Sequence, residues 1–306
     1  MHRPILADGP ELGSTLSALA PARRRDVELA RAVAAAAGDL LLRHAVDLAA
    51  RDGQRTLAAR RKPDGSLVTA ADLAADRLIA AQLRAARPGD AILSEESTTR
   101  FGGGRTWVVD PLDGTTNFAA GLGVWGVTMA LLEDGVPVVG VSAFPRLGLD
   151  FTAVAGGGAF AGTARLGRAA RSGADGPAEL GADDLVAQCS RTAAGPVLDL
   201  AGTRRSLGST AYHLAMVASG TCRASITAAA GIWDVAAGWL LVLEAGGAVS
   251  DRDGGTPWPL AVGEWSERRV ETLAAADPAG HAALRRALGG GSARPFDDPD
   301  GVRTAA

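Results

Sequence analysis

Asp110 and Asp113 stand three residues apart at the end of a short apolar run, within Trp107-Val-Val-Asp110-Pro-Leu-Asp113-Gly114-Thr115-Thr116-Asn117-Phe118. Two carboxylates held this close repel each other unless a cation lies between them. Oxygen-only ligands suit a hard ion, Mg²⁺ ahead of Mn²⁺ or Ca²⁺. Pro111 fixes its own φ and biases Asp110 away from helix, so a sharp turn bringing Asp113 back beside Asp110 is expected. Gly114 permits close backbone approach, and Thr115 and Thr116 can open a helical turn whose N–H groups face an anion. Such a stretch offers to hold a divalent cation and a phosphate side by side. The competing interpretation is a polar turn, because Asp-Gly and Pro are ordinary turn formers.

Other acids repeat the theme. Ser94-Glu95-Glu96-Ser97 follows a short apolar run, where a strand end can send one glutamate into the crevice of Asp110; alone, a Glu pair is usually surface. Asp234, in Ile232-Trp233-Asp234, opens an apolar helical pattern, which is equally the place of a helix cap. Thr69 and Asp72 have the spacing of a capping box.

The elements that must position these groups alternate. Residues 1–24 mix Pro, Gly and charge without periodicity and are expected as a flexible arm; a helix follows over Arg25 to Ala50. Lys62 to Val68 is a turn leading into a second helix from Thr69 to Pro88, then a strand at Ala91 to Leu93 and another at Trp107 to Val109. Val124 to Leu132 and Val136 to Phe144 form a hairpin through Asp134-Gly135, with Leu149 to Val154 extending it. Gly156 to Asp184 carries little periodicity and is expected as a link. Beyond it come a strand at Leu185 to Cys189, a helix at Thr210 to Ser219, a strand at Cys222 to Ile226 and a helix at Asp234 to Ala245. The expected organisation is an arm (1–24), an α+β half (25–160), an α/β half carrying Asp234 (161–288) and a disordered tail (289–306).

With 306 residues and 47% hydrophobic content the chain can bury a real core. A formal charge of −3 shows no basic excess for nucleic acid, and no apolar run reaches membrane-spanning length. Cys189 and Cys222 lie in no metal-ligand spacing and are expected as reduced thiols of a cytoplasmic protein.

The order and spacing of Lys62 to Asp72, Leu93 to Ser97, Trp107 to Phe118, and Gly208-Ser-Thr-Ala211 through Trp233-Asp234 to Gly247 resemble the inositol monophosphatase family of metal-dependent, lithium-sensitive phosphatases. The resemblance implies a layered α-β-α-β-α sandwich of α/β class, a homodimer, and hydrolysis of a small phosphorylated metabolite by metal-activated water. It implies one Mg²⁺ at Glu95, Asp110 and the Leu112 carbonyl, a second between Asp110, Asp113 and Asp234, and a weaker third near Glu95, with Mn²⁺ as a possible substitute. Glu95 and Thr115 would orient the attacking water, Thr115 being held by Asp72. The Gly114 and Thr115 N–H groups would cradle the phosphate beside Thr116, with Ser209 and Thr210 lining the substrate pocket.

Particular residues depart from the pattern. A glutamate that grips substrate hydroxyls in inositol-specific members falls here at Thr227, followed by Ala228, Ala229 and Ala230. Ser94 replaces the common glycine before the glutamate pair, as in the 3'-phosphoadenosine 5'-phosphate phosphatase branch, whereas Thr116-Asn117 lacks that branch's Lys-Glu pair. The run Ala130 to Val141 is similar to bacterial members acting on histidinol phosphate. The substrate therefore stays open among an inositol phosphate, histidinol phosphate, a sugar phosphate and 3'-phosphoadenosine 5'-phosphate. A phosphatase with an aspartate nucleophile needs Asp-x-Asp, and Asp110 and Asp113 are one residue too far apart for it. Gly121-Leu-Gly123-Val-Trp-Gly126 formally fits a dinucleotide fingerprint but precedes a strand instead of a helix. His44 and His213 are expected as packed or surface residues. A non-catalytic relative that binds metal and phosphate is the alternative from another class.

Overall fold

The computed structural model of the protein describes residues 9–50, 60, 61, 67–167, 180–190, 192 and 200–289. Seven α-helices are bounded among them, beside a 3₁₀ turn at Pro145–Leu147: α1 (Leu12–Ala18), α2 (Pro21–Ala50), α3 (Ala70–Ala86), α4 (Thr115–Ala120), α5 (Thr210–Ala218), α6 (Ile232–Glu244) and α7 (Pro278–Gly289). Strands β3 (Ala91–Ser94), β5 (Thr106–Asp113), β6 (Gly126–Glu133), β7 (Val136–Phe144), β8 (Leu149–Val154), β9 (Gly158–Ala161) and β10 (Ala164–Arg165) make a seven-stranded sheet in the order β10-β9-β8-β7-β6-β5-β3. Only the β3–β5 pair in it is parallel. The second sheet has five strands in the order β12 (Thr203–Arg205), β11 (Leu185–Gln188), β13 (Ala224–Ala230), β16 (Val270–Ala275) and β14 (Ala248–Ser250). Two short pairs, β1 (Arg60–Arg61) with β2 (Leu67–Val68) and β4 (Arg100–Phe101) with β15 (Gly263–Glu264), complete the described strands.

Strand alternation sorts the apolar residues into three cores. Trp107 and Val109 of β5, with Val127, Met129 and Leu131 of β6, pack with Val27 to Leu41 of α2 and with Ala75, Ile79 and Leu83 of α3. Val108 and the alternate residues Ala130 and Leu132 pack on the other side with α5, α6 and Ala187, Ala230 and Ala274 of the second sheet. Val186, Ala224, Ile226, Leu273 and Ala275 then meet Leu284 and Leu288 of α7. The result is the expected α-β-α-β-α sandwich. Cys189 and Cys222 are buried and unbridged, and no helix among the described residues is long and apolar enough to cross a membrane.

Several local expectations need correction. The arm is helical over much of its described part: α1 buries Leu12 and Thr15, and α2 starts at Pro21, which is tolerated in a helix's first turn. The stretch from Gly156 supplies β9 and β10, short antiparallel additions to the first sheet. The chain does not turn sharply at Pro111. The strand continues to Asp113 through a bulge, Asp110 pairing with Thr128 and Asp113 with Gly126, so three steps on β5 span two on β6. A bulge accommodates a residue with no N–H to give the ladder. Asp234 is the third residue of α6, not its cap. Strands β12, β14 and β16 and helix α7 were not expected. Lys62 to Ser66 and residues 290–306 lie outside the described residues.

Helix α6 lies directly on the first sheet because small residues meet there. A Cβ on Gly140 of β7 would fall 2.9 Å from the Ala237 carbonyl oxygen, and one on Gly238 would fall 2.5 Å from the Leu214 side chain of α5. Gly140→Ala must therefore push the helix carrying Asp234 off the sheet. Urea unfolding is expected to show a loss of about 1–3 kcal/mol, the usual cost of overpacking against backbone.

Candidate active site

Parallel pairing puts two strand ends side by side. Ser94 of β3 is in register with Val109 of β5, and the next residue, Glu95, donates its N–H to the Val109 carbonyl at 3.2 Å. Glu95 thus leaves its strand beside Asp110. From the opposite layer the first turn of α6 brings Asp234, whose Oδ2 accepts the Gly231 N–H at 3.0 Å. Carboxylate oxygens of Glu95, Asp110 and Asp234 all lie within 4.8 Å of one another. Asp110 is 2% exposed, and its Oδ1 accepts the Leu112 N–H at 2.9 Å.

The electrostatics of this group are unfavourable on their own. Burial, followed by the charges of Glu95, Asp234 and Asp113, holds Asp110 well above the usual carboxylate range. Burial and the charges of Glu95 and Asp113 do the same to Asp234. An acidic, oxygen-only donor set crowded to this degree fits a hard divalent cation, which would remove both the repulsion and the desolvation cost.

Asp113 is buried next to this group but turned toward α5. Its Oδ2 accepts the Ser209 hydroxyl and the Ala211 N–H at 3.1 Å, and its Oδ1 accepts the Thr210 N–H at 3.3 Å. Burial raises its carboxyl to about 6, against the lowering effect of these donors. Ser209 is 2% exposed; its hydroxyl serves Asp113 and accepts the Tyr212 N–H at 3.1 Å instead of lining an open pocket.

Asp72 does two things at once. Oδ2 accepts the Thr69 N–H at 2.8 Å and the Thr69 hydroxyl at 2.5 Å, which is the capping arrangement, while Oδ1 lies 2.9 Å from the Thr115 hydroxyl. That hydroxyl is also 3.0 Å from the Leu112 carbonyl oxygen, so Thr115 is pinned between β5 and α3. Burial raises Asp72 above its ordinary value, opposed by the Thr69 and Thr115 bonds. Gly114 caps α4 at φ 86°, and a Cβ there would fall 2.9 Å from the Val124 carbonyl oxygen. Only glycine fits both the conformation and the space. Thr116 is exposed at the same helix start.

Two residues of consequence were not anticipated as such. Asn117, 8% exposed, donates from one amide nitrogen to the Val124 and Leu207 carbonyls, each at 2.7 Å, and so ties α4 to the loop feeding α5. His213 accepts the Leu207 N–H on Nε2 at 3.1 Å, and burial lowers its pKa to about 4, which keeps that nitrogen an acceptor. The sequence signal for Asn117 was a polar residue at the buried side of a short helix. His213 gave none beyond its apolar neighbours. His44, expected as packed or surface, is half-buried on α2.

Comparison with known proteins agrees with this geometry. The inositol monophosphatase family model matches residues 23–288. The chain is 38% identical over 209 residues to an inositol-1-monophosphatase of Mesorhizobium japonicum, covering 63% of this chain and 75% of that protein. It is 37% identical over 217 residues to a histidinol-phosphatase of Mycobacterium tuberculosis, covering 67% and 81%. Among solved structures, the extragenic suppressor protein suhB of Bartonella henselae superposes with a TM-score of 0.69 at 30% identity, covering 85% of this chain and 96% of that one. With the family model matching residues 23–288, nearly the whole span of the described residues, the chain belongs to the inositol monophosphatase family.

Proposed function

We propose that the protein hydrolyses the phosphate monoester of a small phosphorylated alcohol with Mg²⁺ at the acidic cluster. Phosphoric monoester hydrolysis is the activity of the superfamily to which it belongs. The convergence of Glu95, Asp110 and Asp234 from two sheet-end strands and one helix is the observation that carries the metal assignment. Glu95, Asp110, Asp234, Asp113 and the Leu112 carbonyl would hold two to three Mg²⁺, which when bound acidify a water and neutralise phosphate oxygens.

The chain's own residues supply the orientation. The Thr115 hydroxyl has one proton, directed to Asp72 or Leu112, and its two lone pairs are left to accept from the attacking water. The first N–H groups of α4, from Gly114 and Thr115, have no acceptor within the helix and suit a phosphate oxygen. Asn117 prevents that helix start from moving relative to the α5 loop. Thr210 and Ser209 keep Asp113 turned to α5, with Thr210 partly open toward the substrate side.

The leaving alcohol would lie toward the end of β13, where Ala228 and Ala229 are half-buried and Thr227 is 0% exposed. No acidic side chain stands in that segment, Thr227 to Ala230. The names of the relatives support inositol 1-phosphate and histidinol phosphate as the first substrates to try. A sugar phosphate and 3'-phosphoadenosine 5'-phosphate complete the panel. Lithium sensitivity and a homodimer belong to the same reading and rest on family resemblance; a cytoplasmic setting rests on the two unbridged cysteines, Cys189 and Cys222. Phosphate release with Mg²⁺, with EDTA and with Li⁺ tests it; metal-dependent release from one compound is the expected result, and tight metal and phosphate binding without turnover from any would favour a non-catalytic relative.

Two outcomes follow from the buried carboxylates. Asp110→Asn removes a ligand and a repelled charge together. Phosphate release is expected to fall by about 10–100-fold or more. The metal-free melting temperature at neutral pH should rise while the Mg²⁺-induced rise disappears. Second, Asp113 has an ordinary value of 3.8 and a folded value of about 6. The metal-free folded chain therefore binds the extra proton between those values, so its stability falls as pH climbs through that window. Thermal melts from pH 4 to 8 should show the stabilisation by Mg²⁺ growing across the same range; a pH-independent Mg²⁺ effect would contradict the assignment.

A further inference from the structure

Asp76 has no part in the acidic cluster or the phosphate cradle, yet it lies one turn from Asp72 on the same face of α3 and is 6% exposed. Its Oδ1 accepts the Ser94 hydroxyl at 2.5 Å and the Ser97 hydroxyl at 3.2 Å. Those serines bracket Glu95 and Glu96. Ser94 is 0% exposed, the last residue of β3, and its N–H closes the turn onto the Thr98 carbonyl at 2.7 Å. No ion pair to Asp76 occurs among the described residues, so the two hydroxyls are what the buried carboxylate is aimed at. Burying a carboxylate is costly unless it is hydrogen-bonded, and hydrophobic or small residues would fill the same space without that cost.

We propose that Asp76 is a positioning residue that fixes the turn carrying Glu95 through Ser94 and Ser97. Helix α3 then orients two arms of the site from one face: Thr115 through Asp72, and Glu95 through Asp76. Glu95 has three side-chain torsions, and a backbone gripped on both sides is what lets its carboxylate meet Asp110 and Asp234 from a turn instead of from a strand. Ser94 is essential to this arrangement, because a residue without a hydroxyl there leaves Asp76 with the longer bond alone. The proposal rests on the reading of Glu95 as a metal ligand.

Calorimetric titration of EDTA-stripped protein with MgCl₂ tests it, using wild type, Asp76→Ala, Asp76→Asn and Ser94→Ala, each with a metal-free thermal melt. Asp76→Ala is expected to weaken Mg²⁺ binding by about tenfold or more, in line with losses of groups that orient metal ligands. Ser94→Ala, which keeps the carboxylate and is the fallback if Asp76→Ala does not fold, should weaken it by about threefold or more. Asp76→Asn should stay within about threefold of wild type, because the amide oxygen still accepts both hydroxyls. Unchanged Mg²⁺ affinity in folded Asp76→Ala and Ser94→Ala, with only a lowered melting temperature, would reduce Asp76 to a stabilising role and overturn the proposal. Asp76→Asn as weak as Asp76→Ala would overturn it in favour of a charge effect. Wild type that binds no Mg²⁺ would instead sink the metal-site reading itself.

Discussion

Mutual repulsion among crowded carboxylates, one buried and two half-buried, is the constraint around which the rest of this fold is arranged. Glu95, Asp110 and Asp234 converge to within 4.8 Å, and burial together with neighbouring charge pushes Asp110 and Asp234 far above their ordinary pKa. A folded chain tolerates such a cluster only if the surrounding layers hold it in place without its help. Here the support comes from backbone: parallel pairing of β3 with β5, a bulge at Pro111, and a helix seated on Gly140. Those are rigid elements, which keep ligand geometry tighter than loops do.

The layers contribute different parts. The sheet of β3 and β5 presents Glu95, Asp110 and Asp113 at its strand ends. The layer of α5 and α6 sends Asp234 toward them and grips Asp113 with the start of α5. Asn117 and His213 lock the loop at Leu207 between those layers. The site is thus built across the sandwich, and an amide on a six-residue helix is as much a part of it as the acids.

Much of this was legible in the residues themselves. The Trp107 to Phe118 motif, the Asp134-Gly135 hairpin and the Ala-rich helices follow from local chemistry, and both hairpin residues do adopt positive φ. The acids were recognisable by type, and Thr69-x-x-Asp72 by its capping geometry. What sequence could not tell was direction. A Pro after Asp110 reads as a turn, but cross-strand pairing with β6 absorbs it as a bulge. Ser209 reads as a pocket residue, but the nearby Asp113 carboxylate takes its hydroxyl. Strands β12, β14 and β16 are short or interrupted by polar residues, so their pairing depends on distant partners that no local window contains. Asp76 was invisible because its partners, Ser94 and Ser97, are adjacent to it only after α3 docks on β3.

A phosphatase of this kind needs its anion-binding backbone, its water-orienting hydroxyl and its metal ligands to be fixed before substrate arrives, since catalysis here is almost entirely positioning and electrostatics. In the proposed reading the start of α4 would supply the first two, while β5, α6 and the turn after β3 would supply the ligands, so the decisive question is whether those carboxylates share an ion. An anomalous difference map from crystals grown with Mn²⁺ answers it most directly. The account predicts a strong peak bounded by Glu95, Asp110 and Asp234; a map with ordered Mn²⁺ elsewhere and no peak among these three carboxylates would contradict it.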